Sequence, residues 1–262
     1  MRLSKRLETI VKQAALVCGG EAAADVGTDH GFVPIRLIEE GAADRGIAMD
    51  VRKGPLERAK EHVIQFGMEA QIETRLSDGL EKLMPGEAKT VIIAGMGGEL
   101  MLRILREGSH VRKEIRHWIL SPQSELSLFR HGLEELGLTI IREEMVEEDG
   151  KYYTILTAEP GQMHYEKEAD YRYGALLIEA KSPVLAELLE QSDPHPVPLR
   201  LFIHRLLTKQ RHTRTHPVGT AALFPAENDK APDQSVGRPV TEFLWMEMGV
   251  INRNDAAAFR PT

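Results

Sequence analysis

Short apolar runs separated by amphipathic stretches fill the first 160 positions of the chain. The runs at 22–26, 46–50, 90–94 and 117–120 are rich in Ala, Val, Ile, Leu and Met, as expected for strands buried on both faces of a parallel sheet. A run at 71–76 is more mixed and also reads as a strand. Leu3, Leu7, Ile10, Val11 and Ala14 follow helical spacing, with Arg2, Lys5, Arg6 and Lys12 on the other faces, and further helices are expected at 99–106 and 125–136. Two longer strands, 138–146 and 151–157, flank Glu147-Glu148-Asp149-Gly150, where Asp-Gly is a strong hairpin signal. Alternating strands and helices closed by an antiparallel hairpin predict an α/β, Rossmann-like, seven-stranded sheet. A plain dinucleotide fold would instead continue strand by strand through crossovers.

The pattern predicts a Rossmann-like domain over 1–160 and an extension over 161–262, helical at first and partly disordered later. Pro194, Pro196, Pro198, Pro217, Pro225, Pro232 and Pro239 exclude long helices from this extension. Only 199–209 reads as a short helix, and 226–237 reads as a loop or disordered segment.

The strand ends carry the candidate chemistry. Asp25-Val26-Gly27-Thr28-Asp29-His30-Gly31-Phe32 runs from an apolar strand through an acid and a glycine into a helix. Gly27 allows close backbone approach, and the helix start is expected to offer free N–H groups, but Asp25 would repel a phosphate. A cationic, phosphate-free nucleoside cofactor, S-adenosylmethionine, fits better, with its amino group on Asp25. The dinucleotide alternative needs Gly-x-Gly-x-x-Gly, and here only Gly27 and Gly31 are present. Asp50, before Val51, ends the second strand, where an acid can accept two ribose hydroxyls. Asp78, before Gly79, follows the third and can accept an adenine amino group. Ala94, Gly95 and Met96, followed by Gly97-Gly98, leave room for a ligand after the fourth. Any one of these acids is most simply an N-cap or a turn residue; their recurrence at successive strand ends is what points to a cofactor.

With 262 residues, 42% of them apolar, the chain suits one α/β domain plus an extension. The lone Cys18 excludes an internal disulfide, no cysteine pair suggests zinc, and no run is long enough for a membrane span, so a cytoplasmic protein without a metal or a membrane partner is expected. The net charge of −7 argues mildly against nucleic acid, yet the basic residues cluster. They gather on the N-terminal helix and in a stretch from Arg200 to Arg214, while acids gather at Glu143, Glu144, Glu147, Glu148 and Asp149. Each basic stretch alone is most simply a solvated face.

The first roughly 180 residues resemble the TrmK family of bacterial tRNA adenine-N1 methyltransferases. The resemblance rests on Leu3-Ser4-Lys5-Arg6-Leu7, the loop from Asp25 to Pro34, Asp50-Val51, Asp78-Gly79-Leu80, Ala94-Gly95-Met96-Gly97-Gly98, and Asp149-Gly150-Lys151-Tyr152-Tyr153. It implies a class I S-adenosylmethionine-dependent methyltransferase that modifies N1 of adenine 22 in the D-arm of tRNA. Asp25, Gly27, Asp50, Val51, Asp78, Gly79, Ala94, Gly95 and Met96 would then form the cofactor site, and Arg2, Lys5, Arg6, Gln123 and Tyr152 would meet RNA. Two departures stand out. Ser121-Pro122-Gln123 replaces the usual Gln-Pro pair, shifting the polar contact to Gln123, and the proline-rich tail replaces a charged helical hairpin.

Adenine N1 has an in-plane lone pair and attacks a sulfonium methyl directly, so the reaction needs no metal and no enzymic nucleophile. The base must be unpaired or flipped first. Methylation makes adenine cationic, and Asp29, at the helix mouth, is the expected catalytic carboxylate facing the N6 amino group, unless it serves as the N-cap of the next helix. His30 is a second candidate, to contact the base or orient Asp29. A small-molecule methyltransferase and a non-catalytic cofactor-binding protein of the same fold remain the alternative functions.

Overall fold

The structure is a computed structural model that describes residues 2–191. The expected helix at 199–209, the loop at 226–237 and the basic stretch from Arg200 to Arg214 lie outside the described residues. The first compact unit spans Met1–Leu188. Its elements in chain order are α1 (Lys5–Cys18), β1 (Ala23–Val26), α2 (Phe32–Glu39), β2 (Gly46–Asp50), α3 (Lys53–Gln65), β3 (Ile72–Leu76), β4 (Thr90–Met96), α4 (Gly98–Glu107), the short α5 (Ser109–Arg112), β5 (His117–Pro122), α6 (Leu126–Glu135), β6 (Leu138–Glu148), β7 (Lys151–Pro160), α7 (Glu168–Tyr173) and α8 (Ala175–Glu179), with α9 (Pro183–Gln191) crossing its end.

The strands form one seven-stranded sheet in the order β3-β2-β1-β4-β5-β7-β6, parallel from β3 through β5, with β7 antiparallel to both β5 and β6. Strand alternation sends the same β-branched run to two cores. Val91 and Ile93 of β4 pack with Trp118 and Leu120 of β5 and with Met101, Leu102, Leu105, Phe129 and Leu133 of α4 and α6. Ile92, Ile119 and Ile155 face the other way, onto Ile10, Val11, Ala14 and Cys18 of α1. The Ser4 hydroxyl caps α1 by accepting the Leu7 N–H at 3.3 Å, and Gly19 ends the helix at φ 59°. Gln13 of α1 is buried; its amide donates to Glu144 at 2.7 Å and its carbonyl accepts from Thr157 at 3.1 Å, fastening the helix across β6 and β7.

Two features differ from the sequence expectation. The hairpin strands run through Glu147 and Glu148 and out to Pro160, leaving a two-residue turn at Asp149 (φ 52°) and Gly150 (φ 73°). Positive φ at both turn residues matches the right-handed twist of the flanking strands, so pairing continues to the tip. Glu143 also stands apart from the acids it neighbours in sequence, since its side chain is wholly buried in an ion pair with Arg130 of α6, Nε to Oε1 2.9 Å. Arg130 also donates to the Tyr171 carbonyl at 2.7 Å, and Glu143 accepts the Leu176 N–H at 3.1 Å. A side chain at Gly174 would strike both charged groups. The ion pair thereby seats α7 and α8 on the sheet edge.

Candidate active site

The candidate site lies at the carboxyl ends of β1 to β5, where the strand order reverses between β1 and β4 and such a topology leaves a crevice. Asp25 lies within β1, flanked in register by Ala48 and Ile92. It is buried, and burial pushes its carboxyl up to about 6; Asp50 adds to the rise, and a hydrogen bond from Thr28 opposes it. Among the described residues Asp25 makes no ion pair. A buried carboxylate in that state calls for a cationic ligand.

Beyond β1 the chain turns at Gly27, whose φ of 80° suits glycine. A Cβ there would sit 2.1 Å from the Met96 methyl, so the Met96 side chain lies against the β1 exit. Three N–H groups ahead of α2 are used within the fold. Gly27 and Thr28 both donate to the Met49 carbonyl, at 2.8 and 2.9 Å, and Gly31 donates to the Thr28 hydroxyl at 3.1 Å. These bonds fix the loop over β2 and use three of its donors.

Asp50 ends β2 and is buried; one of its oxygens accepts the Arg52 N–H at 2.7 Å, and the carboxylate has further acceptor capacity for hydroxyls. Val51, next to it, is an exposed apolar side chain at the rim. Asp78 stands in the loop after β3, half-exposed and 3.5 Å from Arg103, with Glu81, Glu107 and His110 lining the same open recess. Gly79, at φ 54°, lets this loop close onto Ile104 of α4.

Asp29 is exposed in the β1–α2 loop and is not the helix cap, because Gly31 (φ 69°) occupies that position. Its carboxylate is gripped by Arg58 of α3, which holds its pKa below the usual range, and its second oxygen lies 3.4 Å from the His30 ring. One turn along α3, His62 donates to the His30 carbonyl at 2.9 Å, and His30 stacks on Phe32 at 5.2 Å. Arg58 and His62 thus hold the loop from one helix face. Neither stood out in the sequence, since an i, i+4 pair on an amphipathic helix signals nothing unless the loop it meets is known.

On the other side of the crevice, β4 carries a bulge. Ala94 pairs with Ser121 and Met96 with Pro122, leaving Gly95 unpaired at φ 80°. Gln123 donates its backbone N–H to the Met96 carbonyl at 2.9 Å, and its amide nitrogen lies 3.8 Å from where a Cβ at position 95 would stand. Arg6 reaches the same point from α1. Tyr153 supports it, with the guanidinium 5.1 Å from the ring centroid. Tyr152 points to the opposite face of β7, where burial and then the Glu187 carboxylate raise its phenol pKa. Lys5 donates to the Glu147 carbonyl at 3.0 Å and its backbone N–H is taken by Glu148, so this cation is tied to the hairpin tip; Arg2 is exposed ahead of α1.

A methyltransferase-domain family model matches residues 3–156. The tRNA (adenine(22)-N(1))-methyltransferase of Bacillus subtilis is 37% identical over 215 residues, covering 82% of this chain and 84% of that protein. The chain belongs to the TrmK family. The fold agrees: M. capricolum TrmK, solved with S-adenosyl-homocysteine, superposes with a TM-score of 0.59 at 27% identity, covering 80% of this chain and 96% of that one. A Streptococcus pneumoniae protein solved with S-adenosyl-L-methionine gives 0.67 at 34% identity, covering 79% and 96%. In this TrmK-family chain the residues present fit such a cofactor, because the uncompensated Asp25 suits an ammonium and Asp50 keeps acceptor capacity for a ribose. Among the described residues no group of His, Cys, Asp and Glu is arranged to hold a metal ion, and no helix is long and apolar enough to cross a membrane.

Proposed function

We propose that this protein transfers a methyl group from S-adenosylmethionine to N1 of adenine 22 in tRNA. The observation that carries the reading is a buried Asp25, without an ion-pair partner among the described residues, on the strand beside β4 and its glycine-rich exit, in a chain 37% identical to a tRNA (adenine(22)-N(1))-methyltransferase. S-adenosylmethionine, when bound, would supply an electrophilic methyl on its sulfonium for attack by the N1 lone pair of an unstacked adenine.

The chain's own residues position and stabilise. Asp25 takes the cofactor's ammonium, Asp50 its ribose hydroxyls and Asp78 its adenine amino group, while Val51 offers an apolar edge to the base. Gly27 and Gly95 keep side chains out of the space between donor and acceptor. Asp29, kept ionised by Arg58, accepts from the N6 amino group as the adenine becomes cationic, so the interaction strengthens along the reaction coordinate. His30, stacked on Phe32, forms the wall beside that carboxylate.

Radiolabelled S-adenosylmethionine and an unmodified tRNA transcript bearing adenine 22 test the reading. Label mapped to N1 of that base is expected. Cofactor binding without label on the transcript would overturn it. In the same assay Asp29→Ala is expected to lower turnover by about 10²-fold or more, the scale for losing one preorganised electrostatic partner, while cofactor affinity stays within a few-fold. An equal loss of cofactor affinity would remove Asp29 from the reacting centre.

A further inference from the structure

Among the described residues the Arg6 guanidinium has no hydrogen-bond or ion-pair partner, and its Nη1 is buried. Leaving a charge-bearing donor out of water without an acceptor is unfavourable, so such a group ordinarily finds one in the fold. Its neighbours on α1 do: Lys5 bonds to the hairpin tip, and Lys12 lies 3.5 Å from Glu144. Arg6 instead stands over the Tyr153 ring, which orients its planar fork, with Nη1 3.4 Å and Nη2 3.9 Å from the point where a side chain at Gly95 would begin. The Gln123 amide converges on that point from β5. Two sets of donors, one of them charged and bidentate, therefore converge on the point where a side chain at Gly95 would begin.

Converging donors of this kind fit an oxyanion. Either the cofactor's carboxylate or a phosphodiester would supply one. Location favours the phosphodiester, since the acids that suit the cofactor lie on β1, β2 and the β3 loop, whereas Gly95 of β4, Gln123 just after β5 and Tyr153 of β7 lie beyond β1 in the sheet, with Arg6 of α1 brought to them. We propose that Arg6 clamps a phosphate of the nucleotide whose base enters the β4 mouth. The inference rests on the tRNA reading above and deepens it, by naming the group that seats the flipped nucleotide.

Salt dependence of binding distinguishes a phosphate contact from a packing role. Unmodified tRNA transcript is titrated onto the full chain saturated with S-adenosyl-homocysteine at several salt concentrations, for the native protein, Arg6→Met and Arg6→Lys. Loss of one phosphate contact reduces the slope of log affinity against log salt by about 0.7–0.9. Arg6→Met is expected to show that reduction, with tRNA affinity lower by roughly 10- to 100-fold and S-adenosyl-homocysteine affinity unchanged. Arg6→Lys keeps the charge and is expected to keep the slope while losing part of the affinity. An unchanged slope in Arg6→Met overturns the clamp, as does a matching loss of S-adenosyl-homocysteine affinity, which would assign Arg6 to the cofactor carboxylate. If Arg6→Met does not fold, Arg6→Lys decides alone: unchanged affinity overturns the clamp. A native protein that binds tRNA but does not methylate it defeats the reaction, and the slope still decides the clamp; one that does not bind tRNA defeats both.

Discussion

The seam around Arg130 and the mouth around Asp25 and Arg6 both take charge out of water, and they complete it differently. At the seam, Arg130 and Glu143 are fully buried against each other, and backbone groups of α7 and α8 take up further donor and acceptor positions. At the mouth, among the described residues, a buried carboxylate has no cation and a part-buried guanidinium has no anion. A charge pair completed within the protein supports the fold, even with Arg130 Nη2 left without a partner among the described residues. An open set is complementary to what binds there, here an ammonium beside β1 and an oxyanion beside β4.

Removing one partner at each place separates the two roles. Glu143→Ala strands Arg130 in the seam and is expected to destabilise the protein by about 3–5 kcal/mol, the cost of breaking a buried pair. Chemical denaturation would register this as a lower midpoint, and cofactor affinity measured well below the unfolding transition should be retained. A loss under 1 kcal/mol would mean that the seam is wetter than its burial implies.

Asp25→Asn is expected to act in the opposite sense on the fold. Because burial raises this carboxyl from 3.8 to about 6, the ionised form is disfavoured in the folded state; stability associated with the protonated form is present below pH 4 and lost as pH rises through 6. A neutral amide avoids that loss. The variant should therefore be more stable than the native apoprotein by about 1–3 kcal/mol at pH 7.5, with the difference vanishing near pH 4. Cofactor affinity should fall by about 10²-fold with the lost charge-assisted bond. Equal stability at pH 7.5 would show that Asp25 already has a counter-charge.

The two regions were unequally legible in the sequence. Strands, their acids and the glycines were readable because each depends on a local pattern: an apolar run, then an acid, then a residue that tolerates positive φ. The hairpin was readable from Asp149-Gly150, though not its length, because pairing of Glu147 with Tyr152 and of Glu148 with Lys151 extends the ladder through residues that look like a turn. Glu143 was hidden by the register shift between Ile140 and Arg142, which changes the face each of three consecutive charged residues takes. Arg58 was hidden because it meets the site only through α3 packing back over the β1 loop. Tyr153 rather than Tyr152 meets Arg6 because strand alternation assigns them to opposite faces, a choice set by where α1 packs and not by either residue.

The pH dependence of S-adenosylmethionine binding, measured calorimetrically from pH 7 down to pH 5, tests the open-charge account most directly. If Asp25 is the buried partner of the cofactor's ammonium, affinity is constant near pH 7, bends close to pH 6 and is about tenfold weaker at pH 5, with a proton released on binding along that limb. An affinity flat across this range, in a protein that remains folded, would contradict it.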